Sequence, residues 1–135
     1  MSTISIWFVR ASLVHFAIGA TVGAWRLAAT GGALPTLPLA LRVLHIEGML
    51  LGWVCQLAFG VALWILPFSN QVSSDRRLWV AWGLLNGGIV SVIGAQWGAT
   101  PVLQLVGRSA ESAAGLLVLW VLWPRVRALP ARGHE

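Results

Sequence analysis

The sequence LALRVLHIEGMLLGWVCQLAFGVALWIL, residues 39–66, decides the fold of this chain. Its only charged side chains are Arg42 and Glu47, and its apolar run is too long for a strand of a soluble core. A helix needs roughly 20 apolar residues to cross about 30 Å of hydrocarbon. The stretch therefore predicts a membrane-spanning helix.

The rest of the chain has the same character. It has 135 residues, of which 58% are hydrophobic and 10% charged, and its mean hydropathy is +0.80. Three further apolar segments lie at about 6–29, about 78–98 and about 101–123, each long enough to span a bilayer. Because backbone polar groups in lipid must be paired within the segment, we predict helices. Residues 1–135 are thus predicted to form a single all-α domain, a polytopic membrane four-helix bundle.

The arginines predict the orientation of this bundle, since basic flanks are retained on the cytoplasmic side of a membrane. Four crossings place both termini on one side, and that side carries Arg76, Arg77, Arg125, Arg127 and Arg132. The opposite loops, 30–38 and 99–100, carry no basic residue. We predict an up-down-up-down bundle in the bacterial inner membrane, with both termini and the basic tail 124–135 cytoplasmic.

Charge and cysteine content exclude two classes of function. The formal net charge is +5, but Arg10, Arg26, Arg42 and Arg108 lie inside or beside apolar runs rather than on a solvated face, so no nucleic-acid partner is predicted. Cys55 is the single cysteine, which excludes an internal disulfide and any multi-cysteine metal centre. The lipid bilayer is the partner that the composition indicates.

Small residues mark the predicted packing surfaces, because helices in lipid associate through close backbone approach. Four glycine pairs have four-residue spacing: Gly19/Gly23, Gly48/Gly52, Gly83/Gly87 and Gly94/Gly98. Along residues 39–66, one helical stripe consists of His45, Met49, Gly52, Gln56 and Gly60. We predict that this stripe faces protein and not lipid.

Polar side chains at membrane depth form two predicted layers, and such groups indicate either internal pairing or function. The outer layer consists of His45, Glu47, Arg26, Arg42, Arg108, Gln104 and Gln96, and the inner layer of His15, Asn86 and Gln56. Glu111 lies near the midplane, three residues after Arg108. A purely structural interpretation pairs Arg108 with Glu111 or Glu47, and His15 with Asn86.

A functional interpretation centres on His45. A neutral imidazole beside glycines suits an iron macrocycle, and arginines at the same outer level suit its propionates. The predicted cofactor-binding residues are His45 as the metal ligand, with Arg42, Arg26, Arg108, Gly52 and Trp53. Glu47, Glu111, Gln56 and Asn86 are the accompanying intramembrane polar residues. A proton-relay interpretation of Glu47, Glu111 and His15, as in a transporter or quinone site, is weaker because no interrupted helices or inverted repeats occur.

The motif Leu41-Arg42-x-x-His45 followed by Gly52-Trp53, Gly60 and Trp64-x-x-Pro67 resembles the catalytic subunits of heme-copper oxidases and nitric-oxide reductases. The whole chain looks more like the small four-helix proteins described as oxidase subunit I-like. In the large family, the position that matches His45 is an axial ligand of low-spin heme b near the outer membrane face. The resemblance therefore implies heme b at His45.

The chain also departs from that family. It lacks the later helices and histidines that build a reducing centre, so an enzyme acting on its own is not predicted. Glu47 stands where many small relatives carry a second histidine. His15 is a weak candidate for a second axial ligand because it is predicted at a different depth. A five-coordinate heme, a heme shared by two His45 residues of a homodimer, a ligand from another protein, and no heme at all remain open.

Two functions follow. The first is a small b-type heme-binding membrane protein for electron transfer or gas sensing, with a chlorophyll-type pigment as a variant. The second is a cofactor-free accessory or assembly subunit of a larger respiratory or photosynthetic membrane complex.

Overall fold

A computed structural model describes residues 2–66, 76–98 and 100–126. In these ranges the chain is helical, with four long helices: α1 (Thr3–Thr30), α2 (Leu39–Ile65), α3 (Arg76–Gly98) and α4 (Pro101–Leu122). Each is long and apolar enough to cross a membrane. This confirms the all-helical prediction with four candidate spans, and the predicted ends are within three residues of those observed. Most of the predicted tail, residues 127–135, lies outside the described residues.

The helix ends follow local chemistry. The Ser2 hydroxyl caps α1 by accepting a hydrogen bond from the Ser5 amide at 3.3 Å. After α1, Gly32 takes a φ of +75°, a left-handed conformation that favours glycine. Pro101 occupies the first turn of α4, where its missing N–H costs nothing. These signals explain why the chain turns at the predicted joints.

The middle of α2 is not an α-helix. Residues Gly48–Cys55 form a π-helical segment between the α-helical stretches Leu39–Glu47 and Gln56–Ile65. π-Helical turns are rare and are found frequently at functional sites. The sequence predicts one regular helix over residues 39–66 and does not indicate the π-helical segment.

The contact of α1 with α2 uses the predicted stripe. Gly52, Gln56 and Gly60 are buried, and the Ser5 hydroxyl donates a hydrogen bond to the Gly60 carbonyl at 2.7 Å. A Cβ atom at Gly60 would lie 3.1 Å from the Phe8 Cβ. The prediction that this stripe faces protein is confirmed.

The contact of α3 with α4 is closer still. A Cβ atom at Gly88 would lie 2.8 Å from the Gly107 carbonyl oxygen, and one at Gly107 would lie 2.9 Å from the Gly88 carbonyl oxygen. The two backbones therefore touch, as is common for small residues in membrane bundles. The predicted packing role of Gly83, Gly87 and Gly94 is wrong, because a Cβ atom at each would have no neighbour within 4 Å.

Aromatic side chains gather at the end of the bundle where α3 begins. The Trp7 ring meets the Trp82 ring edge-on, with centroids 5.8 Å apart, and lies 6.3 Å from the Trp79 ring. The Arg77 guanidinium lies 5.0 Å from the centroid of the Trp120 ring. This arrangement is typical of tryptophan belts at a membrane–water interface.

Candidate functional site

His45 is fixed by a backbone hydrogen bond. Its Nδ1 atom lies 2.7 Å from the carbonyl oxygen of Gly19 on α1. A carbonyl oxygen can only accept, so Nδ1 carries the hydrogen and donates it. The neutral ring then keeps its lone pair on Nε2, which is the form that binds a metal.

The His45 ring occupies the space left by a glycine. A Cβ atom at Gly23 would lie 2.5 Å from the His45 Cε1 atom and 2.9 Å from Nδ1. The neighbouring Gly19 provides space for the Met49 side chain, whose sulfur would lie 2.9 Å from a Cβ atom there. Glycines on α1 therefore hold side chains of α2, and this includes the predicted metal ligand.

Two arginines flank His45. Arg42 lies three residues before His45 on α2 and is exposed, and Arg26 lies three residues after Gly23 on α1 and is half-buried. The 3.6-residue period places each near the same face as its neighbour. Neither guanidinium makes a hydrogen bond or ion pair with another residue in the described ranges. Both are available for the carboxylates of a bound ligand.

Arg108 has other partners. Its Nη2 atom lies 2.5 Å from Oε1 of Glu47, and its Nη1 atom lies 3.0 Å from Oε2 of Glu111. The sequence predicts that Arg108 pairs with Glu111 or Glu47, and the structure shows both contacts. The guanidinium bridges α2 to α4, so its partners in the structure are carboxylates of the chain itself rather than propionates.

His15 belongs to a separate network on the other half of the bundle. Its Nε2 atom lies 3.0 Å from Oδ1 of Asn86, and the Asn86 amide donates to the Trp82 carbonyl at 2.8 Å. Since that amide nitrogen is turned to Trp82, Oδ1 is the acceptor and His15 Nε2 donates. The predicted pairing of His15 with Asn86 is confirmed, and it leaves the lone pair of His15 on Nδ1, which would lie 2.7 Å from a Cβ atom at Gly52.

Gly52 and Trp53 also have neighbours within the chain. A Cβ atom at Gly52 would lie 2.5 Å from Cγ and 2.8 Å from Cβ of His15, so the space beside Gly52 holds the His15 side chain. The Trp53 ring packs against Phe16, with centroids 4.5 Å apart. These contacts account for two residues that were assigned to cofactor binding.

Gln56 is completely buried directly after the π-helical segment. Neither its amide nitrogen nor its oxygen has a hydrogen-bond partner within residues 2–66, 76–98 and 100–126. Two grooves reach His15. One has a volume of about 320 Å³ and includes Leu44, Gly48 and Ile93 in its walls, and the other has about 260 Å³ and includes Arg10.

The residues present fit a porphyrin in part. Within the described ranges, no group of three or more histidine, cysteine or acidic side chains could hold a metal ion. His45 supplies one axial nitrogen with the required tautomer, and Arg26 and Arg42 supply unpaired cations. Arg108, Gly52 and His15 are engaged elsewhere.

Comparisons of the chain with protein-family models, with curated proteins and with solved structures give no match. Two elements of the site could not be predicted from the sequence: the π-helical segment Gly48–Cys55 and the Gly19 carbonyl that accepts from His45. The Gly19 carbonyl acceptor carries no side-chain signal, although the Gly19/Gly23 spacing did indicate a packing surface at that point of α1.

Proposed function

We propose that this chain is a small integral-membrane protein that binds heme b through Nε2 of His45. The observation that carries the proposal is the hydrogen bond from His45 Nδ1 to the Gly19 carbonyl at 2.7 Å. Metal-ligating histidines almost always donate their other ring N–H in this way, which fixes the tautomer and orients the ring. The resemblance of the His45 motif to oxidase subunit I supports the same assignment.

The chain's own residues have three tasks in this proposal. Gly23 and the Gly19 carbonyl hold the imidazole in one orientation. Arg42 and Arg26 bind the propionates by charge-assisted hydrogen bonds. The surrounding bilayer and apolar helices exclude water. The bound heme supplies reversible one-electron chemistry and a coordination position for a small gas, so the proposed role is electron transfer or gas sensing.

The described residues would supply one nitrogen ligand to the iron, because Nε2 of His15 donates to Asn86 and Nδ1 of His15 packs against Gly52. A second ligand would come from outside the chain, from the His45 of a second copy or from another protein, or the position would stay open. An open position favours gas sensing, and a filled position favours electron transfer. The proposed orientation is up-down-up-down in a bacterial inner membrane, with both termini cytoplasmic, and the arginine distribution supports it.

An absorption spectrum tests the proposal. The purified wild-type chain, loaded with hemin in detergent, should give a Soret band that shifts on reduction. His45→Ala should lose this band while remaining folded, whereas His15→Ala should keep it and serves as the matched control. A colourless wild-type bundle, or an equal band in His45→Ala, would overturn the assignment.

A second function, that of a cofactor-free accessory subunit of a larger membrane complex, is favoured by a different observation. The chain's own imidazoles fill the spaces beside Gly23 and Gly52, and its own carboxylates neutralise Arg108. Such a bundle is packed without a ligand. A stably folded wild-type protein that fails to bind hemin would support this function.

A further inference from the structure

Two buried glutamates and one exposed arginine form a triad where α2, α3 and α4 meet. Glu47 is 5% exposed and Glu111 is 8% exposed. The Arg108 guanidinium binds one oxygen of each carboxyl group, at 2.5 Å and 3.0 Å. On the α3 side, a Cβ atom at Gly88 would lie 2.8 Å from the Glu111 Cγ atom, so the glutamate side chain lies directly over the α3 backbone.

The charges of this triad do not balance when every group is ionised. Two carboxylates and one guanidinium leave one uncompensated negative charge in a membrane-spanning region, where such a charge is costly. Two carboxylates that share one partner also disfavour each other's ionisation. One bound proton removes both penalties.

Other charged and titratable groups on the helices around the triad do not supply the missing positive charge. On α3, Arg76 and Arg77 lie at the helix start, about 17 Å along the axis from Gly88 at about 1.5 Å per residue. On α2, His45 donates to Gly19 and Arg42 has no ion pair with either glutamate. On α1, His15 is bound to Asn86, and Arg10 and Arg26 have no ion pair with either glutamate. In the described ranges, Arg108 is the cation that contacts the glutamates.

The two carboxyl groups differ in their hydrogen bonds. Glu47 has the shorter hydrogen bond to Arg108. Glu111 has the longer bond through Oε2, and its other oxygen, Oε1, is buried and has no hydrogen-bond partner among the residues that the structure describes. An ionised carboxylate with one bare buried oxygen is the less favourable of the two.

We propose that Glu111 is a proton-binding site. The triad then consists of a guanidinium, a carboxylate at Glu47 and a carboxylic acid at Glu111, with no net charge. The Arg108 side chain is 46% exposed, so the triad reaches the surface of the bundle. This inference does not depend on heme binding.

Infrared spectroscopy of the purified full-length chain tests the site directly. The chain has four acidic residues, so the C=O stretch of a protonated carboxyl group can be assigned by substitution. The wild type should show this band at neutral pH, and Glu111→Gln should lose it. Glu47→Gln should lose it too, because Arg108 then pairs with a single, ionised Glu111. Identical absorbance of the wild type and Glu111→Gln in this region would overturn the proposal.

The pH dependence of unfolding provides a second, independent readout. Above about pH 5 an unfolded glutamate releases its proton, whereas the folded chain retains one at Glu111. The folded state then binds more protons than the unfolded state, so stability falls as pH rises, by up to roughly tenfold in the folded-to-unfolded ratio per pH unit. Thermal denaturation in detergent between about pH 5 and about pH 8 measures this slope.

Glu111→Gln is the control for that slope. Every other titratable group is present in both proteins, so the difference between wild type and variant isolates Glu111. The variant should lack the fall in stability. It should also be more stable than Glu47→Gln near pH 6, because Glu47 ties α2 to α4 and Glu111 pairs within α4. Equal pH slopes in wild type and Glu111→Gln would contradict a bound proton.

Discussion

The two histidines of the membrane region offer a direct comparison. Both rings fill the space of a glycine on the neighbouring helix, His45 beside Gly23 and His15 beside Gly52. They differ in their acceptors, because His45 donates to a backbone carbonyl through Nδ1 and His15 donates to the Asn86 side chain through Nε2. A glycine opposite a histidine is therefore a packing feature, and the partner of each ring nitrogen determines what the histidine can bind.

The largest effect on stability is expected from Gly52→Ala. The new Cβ atom would lie 2.5 Å from Cγ and 2.8 Å from Cβ of His15. These atoms are next to the His15 backbone, so rotation of the side chain cannot remove the overlap. Overpacking of this kind costs about 1–3 kcal/mol. Unfolding of the purified protein in detergent measures the loss.

Gly83→Ala is the matched control for this substitution. A Cβ atom at Gly83 has no neighbour within 4 Å, and alanine favours a helix over glycine by up to about 1 kcal/mol. Its stability should be unchanged or higher. A loss at Gly83 as large as that at Gly52 would show that the His15 contact is not the cause.

A smaller effect is expected from Asn86→Leu, which keeps the side-chain size and removes the acceptor of His15. Hydrogen bonds between helices in membranes contribute about 1 kcal/mol. The free energy of unfolding should fall by about that amount, and hemin binding at His45 should be unchanged. A lost Soret band in this variant would place the pigment at His15 and reverse the comparison.

The smallest loss of stability is expected from Gly23→Ala, yet this variant gives the clearest test of whether His45 differs from His15 as a ligand. The new Cβ atom would lie 2.5 Å from Cε1 at the far edge of the His45 ring, which can rotate away, and the higher helix propensity of alanine, up to about 1 kcal/mol, offsets the cost of this rotation. Rotation breaks the hydrogen bond to Gly19. Loss of such an orienting bond lowers metal affinity by about 10–100-fold, which titration with hemin would detect. Unchanged affinity would remove the main support for His45 as a ligand.

Much of the architecture could be predicted because hydrocarbon thickness and apolar length are visible in a sequence. The four spans, the protein-facing stripe of α2 and the pairing of Arg108 with a glutamate follow from periodicity and charge. The π-helical segment Gly48–Cys55 could not be predicted, since it depends on packing of α2 against its neighbours and has no composition of its own.

Which glycines contact a neighbouring helix could also not be predicted from the sequence. Gly88, outside the predicted pairs, touches Gly107, while Gly83 and Gly87 face open space. Spacing along one helix defines a face, but the partner helix decides which face is used. The same limit applies to Gly52, because the space beside a residue without a side chain could hold either a ligand or the His15 ring.

The Gly88–Gly107 contact has a consequence for biogenesis. Only residues 99–100 separate α3 from α4, and the crossing of their backbones needs no side chain from the first half of the chain. We expect these two spans to insert and close as a hairpin, onto which the earlier pair then docks. Assembly would finish when Glu47 reaches Arg108, joining the two halves late rather than at the start.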